Sequence, residues 1–553
     1  MPKGRFQFGN LPRNGPRQTR FAKERAINRT STTALLVLGL CLGADVVSAS
    51  AQMVDKTQAP NAANDGINLS YSQEIGAGRG DVMTPDSSAF IIARDPFRAI
   101  RRGRQLFQRK FTRLQGLGPG VGDGHGDIGS ANAIGAGLSD SCAGCHARPR
   151  GSAGTGGNVV TRPDSRDVPH LFGLGIKEML ADEITGDLRA IRLAAVVAAQ
   201  GLHHSVTRKL LSKGISFGSI TANPDGSVDT SHVDGVDPDL RVRPFFAQGG
   251  TISMREFLVG AFQAEMGLQS VDPDLMAASH GGKSATPSGM VLDGSLDHLE
   301  APPTDNPAAD PDGDGVTNEV PASIVDFMEF YLLNYFKPGT YRQSEHTRDG
   351  RRAFQRIGCA SCHMADLLIN KDRRVADVET VYDPQHGILN NLFATATPLL
   401  DSVDDGSGYP ALKKPKLQPF LVKNIFTDFK RHDLGPNFYE RNWNGTLQRE
   451  FLTRPLWGVG EKVAFGHDGR SINLEEVILR HGGEAQGARD AFADLDREDR
   501  EAILALLRSL VLFPPDDTAS NLDPGDRNAS FFPQNGHGSI KLTVLFNDPS
   551  KKE

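Results

Sequence analysis

The pentapeptide Cys-x-x-Cys-His occurs twice in the sequence, as Cys142–His146 and as Cys359–His363. This pattern is typical of covalent c-type haem attachment. Two thiols three residues apart on one tight turn can each form a thioether to a haem vinyl group, and the adjacent imidazole can then reach the iron. The sequence therefore predicts two covalently bound c-type haems, with attachment through Cys142, Cys145, Cys359 and Cys362 and proximal iron ligation by His146 and His363.

Zinc binding and thiol–disulfide exchange are the other chemistries that a Cys-x-x-Cys pair can support. A zinc site usually needs further Cys or His residues at suitable spacing, and four of the five cysteines already belong to the two pentapeptides. The fifth, Cys41, lies in a segment that we expect to be removed from the chain. We therefore expect neither a disulfide nor a free thiol in the mature protein.

The N-terminal segment has the composition of a secretory signal peptide. Residues 1–30 carry eight basic side chains and one acid, an apolar run follows at 34–43, and Ala49-Ser50-Ala51 provides a cleavage site. We predict a signal peptide at 1–51 and a periplasmic protein, although an uncleaved N-terminal anchor stays open. Without residues 1–51 the chain has 53 basic and 65 acidic side chains, a net charge of −12. Such an acidic chain argues against a nucleic-acid partner.

Internal similarity divides the rest of the chain into two halves. Three pairs of segments resemble each other, the last at a constant offset of 220 residues: 103–109 with 350–356, 169–175 with 455–460, and 245–256 with 465–476. Helical periodicity is clearest at 178–199, 322–335 and 498–510. We therefore predict a mainly α protein with two cytochrome-c-like haem domains related by duplication, with long loops and insertions.

The predicted domain boundaries follow from this repeat. The N-terminal haem domain is expected at 93–340 and the C-terminal haem domain at 341–515. Residues 52–92 are small and polar and are expected to form a flexible lead-in. Residues 516–553 are expected to pack as a surface tail.

An acidic loop at 310–319 lies between the two halves. It has Asp at alternate positions and Gly at the sixth, as in the first half of an EF-hand loop. The twelfth position is Pro321 rather than the Glu of an EF-hand, so a shorter Ca²⁺ loop is one interpretation and a solvated acidic linker is the other. The calcium ligands would be Asp310, Asp312, Asp314, Val316 and Glu319.

The repeat also allows the two irons to be compared. An iron with two protein ligands transfers electrons, whereas an iron with an open position can react with peroxide or O₂. In the second half we predict His467 as the sixth ligand and His432 as the runner-up; the alternative for either is a surface or propionate-bonding histidine. The residue aligned with His467 in the first half is Ala247, which cannot ligate iron. We therefore predict a six-coordinate C-terminal haem and a five-coordinate N-terminal haem.

A reactive iron needs a group that moves a proton to the leaving oxygen of peroxide. Glu265, at the end of a helix predicted to begin near Met254, is our candidate for this catalytic acid–base group. A glutamate at a helix end is more often a solvated surface residue, so both interpretations stay open on spacing alone.

The sequence resembles the bacterial di-haem oxidoreductases related to bacterial cytochrome c peroxidase. The resemblance covers most of the chain after the signal peptide and is carried by both pentapeptides and four further segments: Gly-Leu-Gly-Ile at 173–176, Phe-Leu-Thr-Arg-Pro-Leu-Trp-Gly at 451–458, His-Asp-Gly-Arg at 467–470 and His-Gly-Gly-Glu-Ala at 481–485. It implies a peroxidatic N-terminal haem and a C-terminal haem that takes electrons from a small redox protein, either a cytochrome or a cupredoxin. It also implies H₂O₂ as a small oxidant, a Glu-Met acid–base pair that matches Glu265-Met266, and Ca²⁺ between the domains.

The sequence also departs from the family pattern. The family has a Trp-Asp-Gly segment in the first half that is thought to relay electrons, and here the matching residues are Ala247-Gln248-Gly249. The usual Gln partner of the catalytic acid has no clear equivalent.

The resemblance therefore does not fix the substrate. Relatives include an enzyme that matures a tryptophan-derived quinone and a rubber-cleaving oxygenase. We predict a peroxidase-type oxidoreductase and keep two alternatives, a non-catalytic di-haem electron-transfer cytochrome and a haem oxygenase acting on an organic substrate. Whether the chain forms a homodimer stays open.

Overall fold

The structure of the protein is a computed structural model, and it describes residues 71–109, 111, 141–146, 153, 158–159, 166–302, 305–310, 317–335, 344–382, 392–442, 445–462 and 464–511. The predicted signal peptide at 1–51, the first part of the lead-in at 52–70 and the surface tail at 516–553 lie outside the described residues. Both predicted halves contribute to one compact unit.

Twelve α-helices occur in the described residues. They are α1 (Tyr71–Ile75), α2 (Ser88–Arg94), α3 (Pro96–Gln108), α4 (Cys142–Cys145), α5 (Leu174–Leu202), α6 (Met254–Ala261), α7 (Pro273–Ser279), α8 (Ala322–Asn334), α9 (Glu345–Arg356), α10 (Leu474–Arg480), α11 (Gln486–Ala493) and α12 (Arg497–Arg508). A π-helical turn, Phe262–Met266, continues α6, and 3₁₀ turns occupy Cys359–Ser361, Val459–Glu461 and Gly483–Ala485. The helices α1 and α2 lie in or overlap the stretch expected to be a flexible lead-in.

The predicted fold class was wrong, because the described residues also contain seventeen short strands in eight small antiparallel sheets. The strands are β1 (Asn158–Val159), β2 (Arg166–Asp167), β3 (Val206–Ser212), β4 (Ile215–Ala222), β5 (Val228–Asp229), β6 (Lys283–Ala285), β7 (Val291–Asp293), β8 (Leu367–Ile369), β9 (Ala376–Tyr382), β10 (Leu392–Pro398), β11 (Leu400–Val403), β12 (Leu412–Pro415), β13 (Phe420–Val422), β14 (Arg431–Asp433), β15 (Glu440–Arg441), β16 (Leu447–Gln448) and β17 (Glu450–Leu452). A mainly α pair of cytochrome-c-like domains does not describe this architecture.

The sheets are local hairpins or pairs of nearby strands. The strands β3, β4 and β5 form the one three-stranded sheet among the described residues, and the remaining pairs are β1–β2, β6–β7, β8–β13, β9–β10, β11–β12, β14–β17 and β15–β16. The longest two-stranded pair, β9–β10, places Val381 opposite Phe393 and Val378 opposite Ala396. In this pair Val378 and Thr380, and Thr395 and Thr397, are β-branched residues at alternate positions, which is a strand signal.

Two helix pairs have the same close packing through a glycine. A Cβ atom on Gly103 of α3 would overlap the carbonyl oxygen of Phe327 in α8, and one on Gly350 of α9 would overlap the carbonyl oxygen of Ala502 in α12. A larger residue at either position would push the helices apart, at a cost of about 1–3 kcal/mol. The glycines of the two similar segments 103–109 and 350–356 therefore have the same packing role.

Two clusters of buried apolar residues form the core of the described region. The larger cluster joins α3, α5, α6 and α8 and also includes residues of the second half, among them Val422 and Trp457. The smaller cluster joins α9, α10 and α12 around Phe354 and Leu507. None of the helices described has an apolar stretch long enough to cross a membrane.

Candidate functional site

Both Cys-x-x-Cys-His pentapeptides line one cavity of about 920 Å³. The first contributes Cys142, Cys145 and His146, and the second contributes Cys359, Cys362 and His363. Segments that are far apart in the sequence thus meet at a single concave site, which is the usual setting for a cofactor.

Each pentapeptide begins with a tight turn. The Ser141 hydroxyl accepts a hydrogen bond from Gly144 N at 3.0 Å, and His146 N donates to the Cys142 carbonyl at 2.9 Å. In the second pentapeptide His363 N donates to the Cys359 carbonyl at 3.1 Å. These bonds hold each histidine directly after its two thiols.

The histidines of both pentapeptides, which we call the proximal histidines, have a fixed tautomer. His146 donates its Nδ1–H to the Pro169 carbonyl at 2.7 Å, and His363 donates its Nδ1–H to the Phe426 carbonyl at 3.0 Å. Burial also lowers the pKa of His363 to about 4, so this imidazole is neutral near pH 7. In each ring Nε2 then carries the lone pair that a metal requires.

The first thiol of each pentapeptide does not have the low pKa of a redox-active or zinc-binding cysteine. Burial raises the pKa of Cys142 to about 12 and that of Cys359 to about 11. Thiols of this kind are protonated at neutral pH, whereas zinc binding and disulfide exchange use the thiolate. Burial of Cys142 and Cys359 therefore disfavours zinc binding and disulfide exchange at these two thiols.

Three cations on the cavity wall fit a large apolar group that carries carboxylates. Lys177, Arg454 and Lys462 line the same cavity as the proximal histidines. Burial, with help from Arg454, lowers the pKa of Lys177 to about 7, and its Nζ lies 5.3 Å from the centre of the Phe245 ring. An anionic partner at this position would favour the charged lysine again. The residues present therefore fit haem, whose propionates supply such anions.

Two histidines of the second half, His467 and His481, form what we call the second wall of the cavity. The ring of His467 is buried and stacks on Phe451, with ring centres 3.7 Å apart, and its Nε2 lies 3.2 Å from Glu440 Oε1. His481 donates its Nδ1–H to the Val477 carbonyl at 2.7 Å, and burial lowers its pKa.

His481 was not predicted as a ligand from the sequence. Its tautomer matches that of the proximal histidines, with Nε2 left to accept or ligate. The sequence feature that could have indicated this ligand is its position directly after α10, in the His-Gly-Gly-Glu segment.

The runner-up ligand His432 is held differently. Its Nε2 lies 2.9 Å from Asp428 Oδ2 and its Nδ1 lies 2.7 Å from Glu484 Oε2. Burial alone would lower the pKa of His432, but the bonds to Asp428, Cys362 and Glu484 outweigh burial and raise it to about 11. With both nitrogens protonated, His432 has no lone pair to offer an iron, and it is better placed as a charged neighbour of the second pentapeptide.

Two alanines of the first half, Ala247 and Ala261, form what we call the first wall. The segment around Ala247 has the same local geometry as the segment around His467. Phe245 pairs with Thr251 and Phe465 pairs with Ser471 in matching backbone bridges, and both turns contain a glycine in the left-handed region, at φ 68° for Gly249 and φ 67° for Gly469. The two segments therefore have the same backbone conformation, but only the second has a histidine that could ligate a metal.

Glu265 lies on the π-helical turn Phe262–Met266 and lines the same cavity. π-Helical turns occur frequently at functional sites. The preceding helix α6 is held by Arg255, whose guanidinium is fully buried and donates to Asp272, Asp326 and Glu329, each at 2.8 Å. This network connects α8 to α6, the helix that the turn with Glu265 continues.

The predicted calcium ligands Asp312, Asp314 and Val316 lie outside the described residues. Glu319, the residue expected to close the loop, is buried and accepts a hydrogen bond from Gln269 N at 2.8 Å. Asp310 is described at the other end of the loop. The calcium site stays a prediction.

A cavity with two tautomer-fixed histidines, four thiols and three cations fits a haem-binding redox site. Residues 393–510 match the family model described as "Di-haem oxidoreductase, putative peroxidase". This segment is therefore similar to the di-haem oxidoreductases, which supports the resemblance that the motifs predicted. The matched segment includes both histidines of the second wall.

No curated protein matches the chain. Among solved structures it is similar to hydrazine synthase from Kuenenia stuttgartiensis, pressurised with xenon, at 14% identity and a TM-score of 0.21. The similarity covers 35% of this chain and 57% of that one, so the matched part spans little more than half of the hydrazine synthase chain.

Proposed function

We propose that the protein is a periplasmic di-haem c-type oxidoreductase of the peroxidase type. Two covalently attached haems, held through Cys142, Cys145, Cys359 and Cys362, would supply one-electron redox chemistry and, at the first site, an iron that can bind peroxide. The overall reaction is H₂O₂ + 2 e⁻ + 2 H⁺ → 2 H₂O, with the electrons taken one at a time from an external donor.

The observation that carries this proposal is the difference between the two walls. The second wall offers His467 and His481, so the iron ligated by His363 can take a sixth ligand from the protein. The first wall offers Ala247 and Ala261, which leaves the distal side of the His146 site without a ligating side chain at these two positions. A pure electron carrier would need protein ligands on both sides of both irons.

Glu265 is the proposed proton-transfer group of the first site. Glu265 lines the same cavity as His146. As a general acid–base group, Glu265 would take a proton from one oxygen of H₂O₂ and deliver it to the leaving oxygen. The buried Arg255 network holds the helix from which this residue projects.

The proposal extends to the surroundings of the enzyme. Export by the predicted signal peptide would place the protein in the periplasm, and a small redox protein, a cytochrome or a cupredoxin, would be the electron donor. An acidic chain favours a donor with a basic face. A Ca²⁺ ion in the loop at 310–319 would fix the two halves relative to each other.

Haem content and the ferric spectrum test the proposal. A pyridine haemochrome assay should find two haems per chain, and the ferric spectrum should contain one high-spin and one low-spin component. Addition of H₂O₂ with a one-electron donor should give turnover. Two low-spin irons whose spectra do not change on addition of cyanide or peroxide would show that the protein is an electron carrier instead. Turnover with O₂ and an organic substrate, without an electron donor, would show that it is an oxygenase.

A further inference from the structure

The carbonyl groups that hold the two proximal histidines belong to a connected set of backbone groups. On the first side, the Pro169 carbonyl accepts from His146 Nδ1–H at 2.7 Å. The next residue, His170, donates its Nε2–H to the Trp457 carbonyl at 3.1 Å. The proximal histidine of the first half is therefore joined to the backbone of the second half through one further histidine.

The second side continues from the same backbone. Leu456, the residue before Trp457, donates its N–H to the Ile425 carbonyl at 2.9 Å. Ile425 precedes Phe426, whose carbonyl accepts from His363 Nδ1–H at 3.0 Å. A path of covalent bonds and four hydrogen bonds thus runs from one proximal histidine to the other through three dipeptides: Pro169-His170, Leu456-Trp457 and Ile425-Phe426.

Among the links between the two proximal histidines, His170 supplies the one side chain, and every other link is a backbone group. Burial lowers the pKa of His170 to about 3, the bond to Trp457 opposes this, and the nearby cations Lys177, Lys462 and Arg454 lower it further. The ring is therefore neutral at any pH at which the enzyme would work. Its Nδ1 is shielded from solvent and its Nε2–H is committed to the Trp457 carbonyl.

We propose that this hydrogen-bonded chain is the electron-transfer path between the two haem sites, with His170 as its side-chain link. The inference rests on the proposed function, since it requires a haem iron on each proximal histidine. In each transfer the second iron loses one electron and the first iron gains it. No proton has to move, because each hydrogen bond in the path keeps its proton and His170 stays neutral.

Flash reduction of the complete two-haem protein tests the path. A photoexcited ruthenium complex delivers one electron to the low-spin haem, and the absorbance changes of the two haems then report the transfer between them. We expect His170→Leu to slow the inter-haem step by an order of magnitude or more while the haem count and both ferric spectra stay as in the wild type. His170→Gln should restore most of the rate, because its amide N–H can donate to the Trp457 carbonyl.

Two control variants distinguish this path from a route through the Trp457 indole and from a general effect of losing a histidine. Trp457→Phe keeps the backbone carbonyl and removes the indole, so the transfer rate should be retained if the path uses the carbonyl. His280→Leu removes an exposed histidine directly after α7, whose Nδ1 lies 2.9 Å from the Met276 carbonyl, and it should have no effect. If the leucine variant at 170 does not fold, His170→Met gives the same comparison.

Three results would overturn the inference. Transfer as fast as wild type in His170→Leu would show that electrons cross the cavity instead, and slow transfer in Trp457→Phe would assign the role to the indole ring. Either result leaves the proposed function intact. Fewer than two haems per chain would overturn the path and the proposed function together.

Discussion

The segments 245–256 and 465–476 have the same backbone conformation but differ in the side chains that could ligate a metal. Each forms the same bridged turn and then starts a helix in the same way, with the Ser253 side chain accepting from Glu256 N and the Asn473 side chain accepting from Glu476 N. In both segments, the backbone N–H of the isoleucine before this capping residue donates to the side chain of that glutamate. Ile252 donates to Glu256, and Ile472 donates to Glu476. At the offset of 220, His467 and His481 stand where Ala247 and Ala261 stand in the first half.

The helices that follow these turns are also anchored differently. Arg255 of α6 is fully buried among carboxylates, whereas the residue at the same offset in α10 is Glu475, which pairs with Arg500 at 3.3 Å on the surface. Removing one partner of a buried ion pair costs about 3–5 kcal/mol, while an exposed pair contributes about 0–1 kcal/mol. The first half, where we propose an acid–base group, thus has the more strongly anchored helix, as precise positioning of such a group would require.

The largest expected effect comes from removing one attachment pair at a time. The double variant Cys142→Ala, Cys145→Ala should lose one of two haems and all peroxide turnover, yet keep the low-spin ferric signal. The variant Cys359→Ala, Cys362→Ala should lose that signal and the ability to accept electrons from a donor. Haemochrome assays and ferric spectra measure both results. Loss of the low-spin signal in the first variant would reverse the assignment of the two sites.

Glu265→Gln should slow the peroxide step by about 10²- to 10⁴-fold, the usual contribution of a general acid–base group. Both ferric spectra should be nearly unchanged, because the residue does not ligate iron. Stopped-flow mixing with H₂O₂ measures the rate, and Glu300→Gln, a change of an exposed glutamate, is the matched control. Equal rates in wild type and Glu265→Gln would remove the residue from the mechanism.

The second wall should supply the sixth ligand of the C-terminal haem. One of the single variants His467→Ala and His481→Ala should convert the low-spin signal to high spin and raise the reduction potential of that haem, since a basic imidazole is lost. His467 is favoured by the repeat, and His481 by its tautomer. His432→Ala should keep the low-spin signal. If that variant alone abolishes it, the ligand is His432 and its carboxylate bonds do not persist in the haem-bound protein.

The smallest expected effect is a pH-dependent change in stability from His432. Its folded pKa of about 11 lies above the ordinary histidine value of about 6.5, so its stabilisation is complete below about pH 6.5 and is lost as pH rises towards 11. His432→Gln should lower the free energy of unfolding by about 2 kcal/mol at pH 6, the usual contribution of a hydrogen bond to a charged group. Denaturant titrations at several pH values measure this difference, and a difference that does not shrink with rising pH would contradict the assignment.

Local chemistry was predictable from the sequence, whereas long-range contacts were not. The pentapeptides and the repeat at offset 220 identified the haem motifs and the contrast between His467 and Ala247, because both depend on short stretches of sequence. The strands between the second pentapeptide and His467 were missed because each is short and its alternation has no clear boundary. The role of His170 was not visible, because its partner Trp457 lies in the other half of the chain.

The main-chain acceptors at Pro169 and Phe426 have a consequence for redesign of the enzyme. Because a carbonyl oxygen belongs to every residue type, substitutions that leave these loops in place cannot delete the acceptor of either proximal histidine. The chemistry of the first and second walls, by contrast, depends on side chains that a single substitution can replace. A variant such as Ala261→His could therefore introduce a ligand at the first site without changing the hydrogen bonds of the two proximal histidines. If the proposed function is correct, such a variant would convert a catalyst into an electron carrier on the same backbone.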